Sequence, residues 1–145
     1  MKHRNLLLAV LVASLGLIMG SCSSSRKTIA IEEGWELIGE TKVNFVRDRS
    51  SIQVMSSTPF TDIRFKVENK AIRLKSLDVV FQNGDKLAPL VDSEIEADQY
   101  SRDISLGPEG RSIRSIDFNY RSKGNLLKGR AKVLVFAKRY VAPRY

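Results

Sequence analysis

Thr61-Asp62-Ile63-Arg64-Phe65-Lys66-Val67-Glu68 alternates without a break. Ile63, Phe65 and Val67 fall on one side of an extended chain, and Arg64, Lys66 and Glu68 on the other. That is the period of a strand with one face buried and one in water. The pattern spreads outward in both directions. Upstream, Trp35–Glu40 and Lys42–Val46 are short apolar runs, and Ser51–Met55 sets Ile52 and Val54 on one face. Downstream, Ala71–Leu74 offers Ile72 and Leu74, and Leu77–Gln82 aligns Leu77, Val79 and Phe81. Asn83-Gly84 then predicts a type I′ hairpin turn. Lys86–Val91 is the expected return strand, placed at an edge because Pro89 has no N–H to give to a ladder. Ser101–Leu106 and Ser112–Arg121 follow. In the second, Ile116, Phe118 and Tyr120 are in step while Ile113 is not, which predicts a bulge between Ile113 and Ile116. Arg130–Lys138 closes the series, and Val133–Phe136, apolar on both faces, predicts a central strand. Val91–Tyr100 comes nearest to a helical segment and is too polar to bury a face. About eight or nine short strands at roughly ten-residue spacing predict an all-β domain, a single antiparallel β-sandwich.

The N-terminal end has a different composition. Lys2 and Arg4 precede an apolar run, Leu6–Ile18, which ends in Met19-Gly20-Ser21-Cys22. Charge, then apolar residues, then small residues is the order of a secretory signal. The run is about 13 residues, against the roughly 20 that cross a bilayer, so cleavage is expected rather than a permanent span. The end of the segment resembles a bacterial lipobox, with Met19 where Leu is usual. That resemblance implies a signal peptide over residues 1–21 and an acylated Cys22 as mature N-terminus. Two or more acyl chains make a stable anchor where one is marginal. Residues 22–33, with Ser23-Ser24-Ser25 and Arg26-Lys27, read as a flexible tether, and residues 34–145 as the domain. Ser23 in place of Asp implies the outer membrane, facing the periplasm.

The ordered motifs resemble a family of small exported bacterial β-sandwich proteins of unknown function. They are Trp35-Glu36-Leu37-Ile38-Gly39, the loop Arg47-Asp48-Arg49 before Ile52-Gln53-Val54, Asn83-Gly84, Ser101-Arg102-Asp103-Ile104-Ser105-Leu106, and Gly110-Arg111-Ser112-Ile113-Arg114-Ser115-Ile116-Asp117-Phe118-Asn119-Tyr120. The likeness covers most of residues 35–137. It implies the sandwich and no activity. One departure is Asp48-Arg49-Ser50, where the family has Asp-x-Asp.

The residue inventory narrows the chemistry. The chain has one histidine, His3, and one cysteine, Cys22. Cleavage removes the first, and acylation occupies the second. Ser-His-Asp and Cys-His catalysis both need an imidazole, and common catalytic zinc sites lean on histidine. No phosphate-binding glycine loop is present, and no cofactor is expected. Loss of Lys2 and Arg4 lowers the formal charge from +8 to +6.

Carboxylates are what remains. Asp48 and Asp103 are the candidate pair for glycoside chemistry, which needs two carboxyl groups roughly 5–10 Å apart. Beside Arg47, Arg49 and Arg102 they read more simply as loop ion pairs. Arg111 is expected to pair with Asp103 across neighbouring strands. Asp92, Glu94, Glu96 and Asp98 form an acidic run, read as a solvated loop with calcium as the sharper alternative. Trp35 is expected as a core anchor rather than a sugar platform.

The expectation is therefore a non-catalytic, membrane-anchored envelope lipoprotein that acts as a binding or structural module, with a carboxylate-dependent glycan enzyme as the alternative. Expected partners are the membrane through the acyl chains, and an anionic envelope lipid or glycan, or an envelope protein, at the basic surface. Nucleic acid is not expected.

Overall fold

The computed structural model describes residues 34–43, 48–123 and 129–144. The predicted signal, Cys22, the tether and Arg47 lie outside these. Among the described residues there are nine strands and no helix: β1 Trp35–Lys42, β2 Arg49–Gln53, β3 Pro59–Glu68, β4 Ile72–Phe81, β5 Lys86–Leu87, β6 Ser93–Ile95, β7 Ile104–Ser105, β8 Arg111–Ser122 and β9 Lys132–Arg139. All pairings are antiparallel.

One half of the sheet, sheet A, holds β1, β9, β3 and β7. The other, sheet B, holds β2, β8, β4, β5 and β6. The chain from β2 to β3 joins them. β2 runs along β8 from Arg49↔Asn119 to Gln53↔Ser115. Pro59 and Phe60 still pair with Ser112 and Arg111, and past a bulge between Phe60 and Asp62 the strand continues beside β9. A bent strand that changes sheet is a usual corner in packed β structures.

The core lies between the halves. Ile63, Phe65, Val67, Val133, Val135 and Ala137 come from sheet A, and Ile72, Leu74, Leu77, Val79, Phe81, Ile113, Ile116, Phe118 and Tyr120 from sheet B, in one buried cluster. Phe65 meets Phe118 edge-on across it, with ring centroids 5.6 Å apart. Each such side chain, fully buried, contributes about 1.5–3 kcal/mol. β9 is central, between β1 and β3, as its two-sided apolar run predicts.

Bulges explain where the alternation changes phase. Two predicted runs form the single strand β4, because Lys75 bulges between the pairs Leu74↔Tyr120 and Ser76↔Asn119. That shift turns Leu77, Val79 and Phe81 to the same side as Ile72 and Leu74. The bulge expected between Ile113 and Ile116 is also present: Phe81 pairs with Ile113 and Val80 with Ser115, skipping Arg114.

Two local expectations are corrected. Asn83 does not take the positive φ that a type I′ turn requires. Gly84 alone does, at φ 92°, and its N–H donates to Phe81 O at 3.0 Å, a type I turn closed by a glycine. The return strand is shorter than Lys86–Val91. Only Lys86 and Leu87 pair with β4, and the chain leaves the ladder before Pro89.

Candidate functional site

In a packed pair of sheets, ligands meet the outer faces or the ends. The two outer faces differ in kind. On sheet A, register puts Phe136 opposite Leu37 and Arg64, and Leu134 opposite Glu40 and Lys66. Leu134 and Phe136 are buried yet belong outside the main core cluster. Above them the guanidinium carbon of Arg64 lies 4.2 Å from the Trp35 ring centroid and 4.3 Å from that of Tyr100. Tyr100 itself meets Phe136 edge-on at 5.8 Å. A cation between two aromatic faces is attracted to both. This stack holds Trp35 nearly closed to solvent, at 8% exposure. Trp35 is therefore buried, as expected, but packs on the outer side of sheet A rather than in the main core.

Sheet B is polar on its outer side. Three rows cross β8 and β4. Arg121 opposes Arg73, Asn119 opposes Ser76, and Asp117 opposes Asp78. β2 extends the last two rows with Arg49 and Ser51. Arg49 Nε donates to Asn119 Oδ1 at 2.9 Å, and Asn119 Nδ2 donates to Ser76 Oγ at 2.6 Å. Lys86 Nζ reaches Asp78 Oδ2 at 2.9 Å. Arg49, Asp78, Lys86, Asp117 and Asn119 line an open groove of about 460 Å³. A second groove, of about 400 Å³, lies among Arg73, Lys75, Asp92 and Arg121. There Arg73 Nε and Nη2 donate to Asp92 Oδ1 and Oδ2 at 2.8 and 2.9 Å. That fork of hydrogen bonds raises the Arg73 pKa and holds the Asp92 carboxyl below its ordinary value, and the charge of Lys75 pulls Asp92 down further.

The residues singled out from the sequence fall as follows. Cys22 lies outside the described residues. Asp48 is exposed just before β2, and its carbonyl accepts from Tyr120 N at 2.7 Å, beside β8 in sheet B. Asp103 is exposed just before β7, which flanks β3 in sheet A. The two stand beside different sheets. Arg111 pairs with Asp85, Nη2 to Oδ2 at 2.6 Å, and lies over the Phe81 ring at 3.5 Å. Asp85, at the β4–β5 turn, thus takes the place expected for Asp103. The acidic run is only partly loop: Ser93–Ile95 is β6, paired with β4. Glu94 accepts from Lys123 Nζ, and Asp92 is taken by Arg73. Among the described residues no three His, Cys, Asp or Glu side chains are grouped to hold a metal.

The sequence reading missed the opposed pairs Asp78–Asp117 and Arg73–Arg121. The members of each pair are 39 and 48 positions apart, and only strand register brings them together.

No helix among the described residues is long and apolar enough to cross a membrane. No curated protein matches the sequence. Among solved structures the chain is similar to one described as "Structural and functional characterization of Pseudomonas aeruginosa AlgX", with a TM-score of 0.48 and 8% identity. The likeness covers 73% of this chain and 27% of that one. The profile of a protein family covers nearly the whole sequence, residues 6–137, and the chain belongs to that family, described as a domain of unknown function, DUF2541.

Proposed function

We propose that this protein is a lipid-anchored, non-catalytic module of the bacterial envelope that binds a partner through the outer face of sheet B. The anchor part rests on the order Lys2/Arg4, Leu6–Ile18 and Met19-Gly20-Ser21-Cys22. In this reading Cys22 is the mature N-terminus, and Ser23 in place of Asp supports the outer membrane, facing the periplasm. The non-catalytic part rests on the inventory: His3 is the only imidazole and Cys22 the only thiol.

The observation that carries the binding part is the contrast between the two outer faces. Sheet A closes its apolar outer side with its own Trp35, Arg64 and Tyr100. Sheet B keeps hydrogen-bonding groups open to water in two neighbouring grooves. A few convergent polar groups in a groove are what fixes a polar ligand in orientation.

Two measurements test this. Mass spectrometry of the mature N-terminal peptide, from protein extracted from bacterial membranes, is expected to show Cys22 first and acylated; an unmodified Cys22 contradicts the anchor. Retention of envelope lipid and glycan fractions on the full-length protein is expected to fall with Arg49→Gln combined with Lys86→Gln, and to be unchanged by Lys42→Gln. Equal retention by all variants contradicts the binding face.

A further inference from the structure

Cations on the outer side of sheet B are mostly matched. Arg73 has Asp92, Lys86 has Asp78, and Lys123 has Glu94. Arg49 is held by Asn119. Lys75 and Arg121 have no such partner among the described residues, and both are exposed. They line the same groove.

The register makes this costly. Arg121 stands directly opposite Arg73 on the neighbouring strand, where like charges repel and destabilise the pair. Lys75 joins them because it is the bulged residue of β4, inserted between Leu74 and Ser76. The only carboxylate lining the groove, Asp92, is engaged by both oxygens with Arg73. Glu94 stands opposite Arg73 on β6 and is itself bonded to Lys123. The residues that line the groove, three cations and one carboxylate, carry +2 around an open volume of about 400 Å³.

Resting on the reading of sheet B as the binding face, we infer that the groove of Arg73, Lys75 and Arg121 binds a phosphate-class dianion. A phosphate monoester carries about −1.5 to −2 charge near neutral pH and presents several acceptor oxygens. That matches the +2 of the groove, where a carboxylate would match half of it. Arginine supplies planar, paired donors suited to phosphate, and lysine a mobile point charge. Asp92 fixes the Arg73 fork through Nε and Nη2 and leaves Nη1 for the ligand. Lys75 and Arg121 supply the remaining charge.

The test uses the full-length protein in detergent. Its melting temperature is followed on adding inorganic phosphate, with sodium chloride at matched ionic strength as control. Soluble short-chain phosphatidic acid is titrated in parallel against phosphatidylcholine of the same chain length. Phosphate is expected to raise the melting temperature above the chloride control and to shift the side-chain NMR signal of Arg121 Nε. Arg121→Gln with Lys75→Gln is expected to weaken phosphate binding at least about tenfold. The double variant is also expected to melt no lower than the wild type without phosphate, since it loses a repulsion; that shows it is folded. Binding of phosphatidic acid alone among the lipids marks a headgroup as the source; phosphate binding without it marks a free or sugar-borne phosphate. A wild type that responds to phosphate no more than to chloride overturns the inference, as does a folded double variant that binds phosphate as the wild type does. Loss of envelope binding through Arg49 and Lys86 with phosphate binding intact, or the reverse, separates this site from the broader reading of the face.

Discussion

Gly39 of β1 lies directly against Ile52 of β2. A Cβ built on Gly39 would overlap Ile52 Cγ2, closer than real carbon atoms approach. β1 is the outer strand of sheet A, and β2 lies beside β8 in sheet B. Ile52 is buried in the shared core. The glycine is what lets the two strands meet, and the bulge in β1 between Leu37 and Gly39 turns it toward the contact.

Gly39→Ala is expected to destabilise the fold by about 1–3 kcal/mol, the usual range for overpacking a core. Adding Ile52→Ala is expected to recover part of that loss, so the double variant costs less than the sum of the singles. Urea unfolding of the four proteins checks the coupling; strict additivity would place the two residues apart.

The Trp35–Arg64–Tyr100 stack predicts a spectroscopic signature. Trp35 is the only tryptophan in the chain, so tryptophan emission, excited selectively over the tyrosines, reports on this stack. Arg64→Gln is expected to change the emission and lower stability by about 0.5–2 kcal/mol. An unchanged spectrum in the variant would contradict the stacked geometry.

Asp117 opposes Asp78 across β8 and β4, and Lys86 is bonded to Asp78. Asp117→Asn is therefore expected to stabilise the fold, by about 0.2–1 kcal/mol. The gain should shrink as salt is raised, because these charges face solvent. Chemical unfolding at low and high salt reads both effects.

Asp92 predicts a pH dependence. Its carboxyl is held below its ordinary 3.8 by the hydrogen bonds from Arg73. A depressed folded-state value adds stability above about pH 4, and that part is lost as pH falls through the lower value. NMR titration of Asp92 is expected to show a midpoint below 3.8 in the wild type, moving up in Arg73→Gln. Identical midpoints would contradict the ion pair.

Much of the fold is legible in the sequence, for physical reasons that also mark where reading stops. Alternation in Thr61–Glu68 finds β3 because one face must be apolar and the other wet. The phase slip between Ile113 and Ile116 is visible because a bulge leaves one residue out of step. Lys75 is harder to see, since its bulge joins two runs that each look complete. Partners across the sheet are not legible. Arg111 finds Asp85 rather than Asp103 because the β4–β5 turn returns beside the start of β8. Trp35 reads as core from its size, yet its register beside Lys138 and Asp62 turns it to the outer face. Asp92 and Glu94 look like loop carboxylates until β6 lays them next to Arg73 and Lys123. Each of these three misses comes from register, which no local pattern encodes.

The central claim is that the partner sits on the outer face of sheet B. Photo-crosslinking in intact cells tests it most directly, with a photoreactive residue at Ser76 on that face or at Lys42 on the outer face of sheet A. Crosslinked envelope material from the Ser76 position, with none from Lys42, is the predicted result. Crosslinks from Lys42 and none from Ser76 would contradict the account.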